Sequence, residues 1–398
     1  MTIKMFFGKI FKGVLLYNKP TLLYAIVKVW AVVGFLPLLP SAITYSFTIA
    51  FAFYFAIHGR EFDKITSAFL LYIPINLLIV NPDVIFQPWF RYGLFVCILF
   101  VVSPLVQSKW LRDNRLYILN ITMWACVILG VGSFFAFFLG INFMIIPKEY
   151  EAFADLNAVG LFAGLTNHSM MLGPIAGIGA CFMASKAVNT KKKIYWIFVA
   201  LALGSVLFSA SRSAFAAAIA GVTMTLYKQS GSTSRFVGIG VTVILLLSMT
   251  FTLWSGALTG VLEKNRGTSL NFDSRSGLWD KSLDEFESNP IFGVGFCSSS
   301  DVSSVSKTGT IESGSSWLNV LSMLGLVGSV FVAIIMLKAL YSAYKRNDEY
   351  GALLFGVLVL FYIHMMAEGY IFAGGSFLAF MLWLTVGVSI DTNYVKDK

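Results

Sequence analysis

A chain of 398 residues would ordinarily divide into two or three soluble domains. The composition excludes them: hydrophobic residues make up 57% of the chain, charged residues 12%, and the mean hydropathy is +0.78. Soluble domains carry about 25% charge, so the sequence reads as an all-α polytopic membrane protein, a single transmembrane domain over 1–398. The net charge of +9 falls in short Lys/Arg clusters between apolar runs, the pattern that orients a chain in a bilayer and not a nucleic-acid face.

In chain order, Phe6, Phe7, Ile10, Phe11, Val14 and Leu15 recur at helical spacing with Lys9 and Lys12 opposite. This predicts an interfacial helix over 1–18; the other reading is the ragged start of the first span. About twelve spans follow, near 21–38, 40–58, 65–80, 90–107, 116–139, 169–185, 194–210, 213–227, 236–254, 317–337, 350–367 and 372–390. With both termini cytoplasmic, the inside segments hold 20 of the 29 Lys and Arg and the outside segments eight, Lys28 lying within the first span. That bias sets the orientation. Two long segments then face outward, 140–168 and 255–316. Of the four cysteines, Cys97, Cys126 and Cys181 lie in apolar runs and read as small filler; no metal spacing is present.

Residues 194–227 form an apolar run with one charge, Arg212. As helix the run would measure about 51 Å, against ~30 Å of hydrocarbon. Both flanks are basic, so it must go out and return, turning near Ser209-Ala210-Ser211-Arg212-Ser213. The short arms put Arg212 below the outer surface. Snorkelling to the headgroups is the bland reading; the small neighbours favour an anion ligand on a cavity floor. In the long outer loop, Asp273 or Ser274 can cap a short amphipathic helix. Trp279, Leu283 and Phe286 form its apolar stripe, and Pro290 closes it. Arg275 sits in its first turn, where the dipole disfavours a cation, which points to function. The Gly-x-Gly in Asn289-Pro290-Ile291-Phe292-Gly293-Val294-Gly295-Phe296 has no following Lys-Ser or Lys-Thr and reads as a tight turn.

Together these segments resemble the bacterial O-antigen ligases and O-antigen or exopolysaccharide polymerases. The resemblance runs through Phe162–Gly173, Ser209–Ala214, Ser274-Arg275 with Leu278-Trp279, Asn289–Gly295, Trp317–Leu321 and Leu324–Gly328. It implies a glycosyltransferase of the inner membrane, without metal or cofactor, that uses a polyprenyl-diphosphate-linked glycan. A flippase and a chain-length regulator are the implied partners beside the lipid bilayer, with no nucleic acid. It also implies that Arg212 and Arg275 contact the donor diphosphate. The family's histidine near position 314 is missing here, where the chain reads Glu312-Ser313-Gly314-Ser315-Ser316-Trp317. That departure favours a polymerase over a ligase.

The chemistry agrees. Arginines in a water-poor cavity stabilise the charge that develops on a diphosphate leaving group, and their forks bind two phosphate oxygens. For a base, the candidates in order are His364 with Glu368, four residues apart and so on one helical face, then Glu312, then His168. A satisfied polar pair is the other reading of His364 and Glu368, and a solvated loop acid that of Glu312. His58 falls at the cytoplasmic end. Asn167, His168, Ser211, Ser213, Ser316 and Trp317 are the expected substrate-binding residues. A transporter is the rival of another class, but it would carry an internal repeat, and the outer loop has no counterpart in the first half. A non-catalytic partner of a synthase is the remaining alternative.

Overall fold

A computed structural model describes residues 18–145, 162–231, 273–301 and 314–391. The expected interfacial helix (all but its last residue), the ninth span at 236–254 and Glu312 lie outside the described residues. Among those described, the helices are α1 (Lys19–Trp30), α2 (Ser41–Ala56), α3 (Lys64–Val80), α4 (Pro88–Val102), α5 (Lys109–Phe138) and α6 (Ser169–Thr190). They continue with α7 (Ile194–Phe208), α8 (Arg212–Ser230), α9 (Asp273–Ser288), α10 (Ser316–Lys345), α11 (Gly351–His364) and α12 (Phe377–Ile390). The strands β1 (Glu61–Phe62) and β2 (Val106–Gln107) pair antiparallel.

Among the described residues, four segments are long and apolar enough to cross a membrane: Val84–Val102, Lys109–Phe138, Ser169–Thr190 and Ser316–Lys345. α2, α3, α7, α11 and α12 are shorter and apolar. Helix starts follow polar caps: Asp63, Ser108, Ser211, Ser315 and Ser376 each accept an amide of the first turn. Every residue of α12 is buried, including Trp383, whose indole donates to the Ile371 carbonyl at 2.9 Å. Around this hub, α8 packs on α11, and α6 on α5, α7 and α8. The basic clusters gather at one end of the bundle. There the wholly buried Arg115 donates to the Val101 and Val106 carbonyls, both at 2.9 Å, and Lys338 pairs with Asp63, linking α10 to α3.

Two expected spans take a different form. The first was expected over 21–38, but α1 stops at Trp30. Residues 31–34 instead run beside 163–167: the Gly34 amide donates to Leu165 (2.9 Å) and the Asn167 amide to Val32 (3.1 Å). Backbone pairing of this kind replaces the helical ladder without leaving polar groups unmatched. The span expected over 317–337 extends to Lys345 and is broken at Gly325 (φ 61°, ψ −165°). A broken helix at this depth is tolerated only if its freed backbone groups find protein partners. The Pro290–Gly295 segment supplies them. The Val294 and Gly295 amides donate to Ser322 (2.8 Å) and Met323 (3.0 Å), and the Leu326 amide donates to Pro290 (2.8 Å). Tyr72 and Asn76 of α3 complete the joint, donating to Leu324 (2.7 Å) and Phe292 (2.6 Å). The Gly-x-Gly is thus a turn, as expected, and a splice that docks the long loop into the bundle.

Candidate functional site

The end of the bundle opposite the basic clusters carries the expected site. α7 ends at Phe208, Ala210 adopts a left-handed conformation (φ 50°), and Ser211 caps α8. The out-and-back hairpin therefore turns at 209–211, where the flanking charges required it. Phe208 stacks on Phe137 at 3.9 Å between ring centroids, fixing the turn against the end of α5. A Cβ on Gly173 would come within 2.6 Å of the Ala214 Cβ and 3.0 Å of the Ser209 Oγ. Gly173 lies four residues inside α6, so the turn sits about 6 Å below the end of that helix. Arg212 is the first residue of α8 and is exposed; the Ser211 and Ser213 hydroxyls lie 3.4 Å apart beside it.

Next to the turn, residues 162–168 are held by backbone bonds to residues 31–34 and by the Asn167 side chain, which donates to the Ala31 carbonyl at 2.9 Å. His168 then caps α6: its Nδ1 accepts the Met170 amide at 3.2 Å. A neutral His168 in that arrangement carries its proton on Nε2.

The third component is the segment after α11. His364 and Glu368 were expected on one helical face, but α11 ends at His364 and Glu368 lies in the turn beyond. The reason is Ser316. Its hydroxyl donates to the Glu368 carbonyl (2.7 Å) and accepts the Tyr370 amide (2.9 Å), while its own amide faces the Met365 (2.9 Å) and Glu368 (3.0 Å) carbonyls. Those bonds pull 365–371 out of helical register and onto the start of α10. Ser316 is buried and committed to this backbone knot, and the Trp317 indole donates to Tyr362 at 3.0 Å. Both side chains hold the site's frame.

The turn nevertheless brings the pair to one place. A cavity of about 470 Å³ is lined by Asn167, His168, His364 and Glu368 together with Tyr370 and largely apolar neighbours. Four residues singled out from sequence thus meet across 167–168 and 364–368. His364 is buried, with Nδ1 3.2 Å from the Tyr370 hydroxyl. Burial first, and then the nearby Glu368 carboxylate, hold the Tyr370 phenol well above its ordinary pKa. It stays a neutral phenol that can accept from or donate to Nδ1. Tyr370 escaped sequence reasoning because its link to His364 depends on a helix ending that the residue pattern does not reveal.

Arg212, Ser211 and Ser213 do not line this cavity. Arg275 falls on α9 as expected, one turn before Trp279; its side chain lies outside the described set. α9 packs against the start of α10, where the Trp279 indole donates to the Gly314 carbonyl at 3.0 Å. A Cβ at 314 would stand 2.8 Å from the Trp279 Cδ1 and 3.0 Å from the Leu278 Cβ. Position 314, near which the resemblance implied a histidine, is here closed over by tryptophan.

Residues 196–333 match the family model described as O-antigen ligase. The matched stretch spans the Ser-Arg turn, α9, the splice and most of α10, so it covers the segments that carried the resemblance from Ser209 onward, while Phe162–Gly173 lies outside it. The match and the apolar helices fit a membrane protein of O-antigen ligase or polymerase type, in lipopolysaccharide biosynthesis. No curated protein matches the sequence.

Proposed function

We propose that the protein is a polysaccharide polymerase. It joins polyprenyl-diphosphate-linked glycan repeat units at the outer face of the bacterial inner membrane, with about twelve crossings and both termini in the cytoplasm. The observation that carries the proposal is the cavity shared by Asn167, His168, His364 and Glu368, set at the same end of the bundle as the Ser-Arg turn. That end is the outer one, because the opposite end holds the basic clusters.

In the reaction an acceptor hydroxyl oxygen attacks the anomeric carbon of the donor glycan. The bond from that carbon to the diphosphate oxygen breaks, and the polyprenyl diphosphate leaves with the electron pair. Arg212 and Arg275 bind the diphosphate and stabilise its developing charge without a metal or cofactor. At Arg212 the positive end of the α8 dipole adds to the guanidinium, which explains a cation at a helix start where the dipole alone disfavours it.

The hydroxyl proton passes to a base in the cavity. With Tyr370 neutral and accepting from Nδ1, the His364 Nε2 lone pair is the proton acceptor, and Glu368 stabilises the imidazolium that forms. His168, whose Nδ1 already accepts an amide, is better suited to donate from Nε2 to a sugar oxygen. Asn167 gives a second polar contact for the acceptor. A general base contributes about 10²–10⁴-fold, so the arginines carry the larger share. The closing of position 314 by Trp279 supports a base elsewhere than the ligase-like histidine position.

Replacing Arg212 or Arg275 by Lys is expected to abolish long glycan chains at unchanged protein level, because lysine lacks the bidentate fork. Normal chains from both variants would overturn the proposal in favour of a transporter or a non-catalytic partner. Presenting purified protein with repeat units or with lipid A core as acceptor separates the two enzymes; transfer only to lipid A core would make it a ligase.

A further inference from the structure

A second cavity, of about 640 Å³, lies at the basic end of the bundle, remote from the site above. α2 ends at Ala56, and the chain turns through His58 and Gly59 into β1. Pairing with β2 then sets residue 60 beside the start of α5, the Arg60 amide donating to the Gln107 carbonyl at 3.0 Å. One wall is aromatic: the His58 and Trp110 rings stack at 4.0 Å with 15° between their planes, and Tyr54 packs edge-on against both. The rim carries two exposed cations, Arg60 and Lys109. Its one acid, Asp113, is held by Arg112 in a 3.1 Å ion pair. Neither Arg60 nor Lys109 enters an ion pair among the described residues.

From this cavity an apolar track leads toward the middle of the bundle. Ile57, Phe53 and Ile49 follow one another at i, i+4 spacing along α2 and are 76%, 70% and 38% exposed. A cationic rim, an interfacial tryptophan and an apolar stripe in one line match an amphiphile with an anionic head. A free sugar would leave the stripe bare, and a zwitterionic lipid would bring an ammonium against two cations. The chain's own first seventeen residues carry Lys4, Lys9 and Lys12, the same sign as the rim.

We propose that this cavity binds the phosphate of an anionic glycerophospholipid, one acyl chain lying along Ile57, Phe53 and Ile49. The Arg60 fork can hold two phosphate oxygens, and Lys109 supplies a second charge. The site is separate from the glycan chemistry and stands whether or not the polymerase assignment does.

The test uses the purified full-length protein in neutral detergent, titrated with phosphatidylglycerol, phosphatidylcholine or inorganic phosphate. Bound lipid is counted by native mass spectrometry, and stability is followed by thermal unfolding. Phosphatidylglycerol is expected to bind and to raise the melting temperature, as a ligand of the folded state must, whereas phosphatidylcholine is not. Each cation near a membrane surface adds about 1 kcal/mol, roughly 5-fold. The R60Q/K109Q variant is therefore expected to bind phosphatidylglycerol about 10- to 30-fold more weakly, with unliganded stability unchanged because both side chains are exposed. I57S should weaken the lipid and not inorganic phosphate. Equal binding of the two lipids, or wild-type affinity in R60Q/K109Q, overturns the proposal. So does protection by inorganic phosphate equal to that by the lipid, which would make the ligand a free anion. Loss of lipid binding in K4Q/K9Q/K12Q with none in R60Q/K109Q would move the attraction to the amino-terminal segment and also overturn it.

Discussion

The splice between the Pro290–Gly295 segment and the break in α10 gives the sharpest test of the fold. Gly293 (φ 69°) and Gly325 (φ 61°) occupy backbone regions that an L side chain enters only at a cost. A Cβ on Gly293 would run into the Ser322 carbonyl, and one on Gly325 into the Ile291 carbonyl. Alanine at either position adds about 1–3 kcal/mol of backbone strain. It also pushes the two segments apart, at the expense of bonds that include Val294–Ser322, Gly295–Met323 and Leu326–Pro290, each worth about 0.5–1.5 kcal/mol. Gly293→Ala and Gly325→Ala are thus expected to destabilise by about 3–7 kcal/mol, read as a drop of at least about 5 °C in thermal unfolding in detergent. The same bonds are lost from either side, so the double variant should cost much less than the two singles added. Gly277→Ala is the control: it lies in α9 with nothing within 4 Å of its Cβ, and it should be neutral or stabilising by up to about 1 kcal/mol. A Gly293→Ala protein that melts with the wild type, or strictly additive singles, would refute the splice.

Three further outcomes follow from the site and the basic end. Ser316→Ala leaves the Tyr370 amide without its buried acceptor and the Glu368 carbonyl with only the residue-316 amide; a loss of about 1–3 kcal/mol in thermal unfolding should accompany shorter glycan chains, and unchanged stability would count against the knot. Tyr370→Phe removes the hydroxyl facing His364 Nδ1, so the ring loses the partner that orients it and the transfer rate should fall, by at most the ~10²–10⁴-fold a general base supplies, at unchanged protein level; an unchanged rate would argue against His364 as base. Burial raises the Asp63 carboxyl pKa, but bonds from Lys338 and Thr66 outweigh it and hold the pKa below its ordinary value. Its stabilisation is then complete above the unfolded value near ~4 and is lost as the pH falls through the folded one. Asp63→Ala should therefore melt below the wild type at neutral pH, with the gap closing in acid, whereas a gap constant with pH would show that the ion pair contributes nothing.

Elements whose cause lies within their own sequence were legible, and those set by a distant partner were not. The α7–α8 hairpin could be read because basic flanks and excess helix length admit one solution, and α9 because its apolar stripe and Pro290 lie inside a single segment. The break at Gly325 lies in Leu324-Gly325-Leu326-Val327-Gly328, which hydropathy reads as continuous span. Only the Pro290–Gly295 amides and carbonyls, some thirty residues earlier, make the break affordable. α1 is cut short for the same reason, its partner being the strip at 163–167.

The candidate base pair shows how the same limit acts on chemistry. Spacing four residues apart placed His364 and Glu368 together through a helix that is not there. Ser316 unwinds that helix, yet its bonds return Glu368 to the cavity and add Tyr370 beside His364. The pair therefore meets through a fold-back held by α10, and its geometry depends on where α10 begins. That start is in turn fixed by Trp279 over Gly314, and so by α9, the helix that carries Arg275. The arginine proposed for the diphosphate and the proposed base thus share one mechanical frame: a perturbation of α9 should alter donor binding and acceptor activation together, where independent sites would fail one at a time.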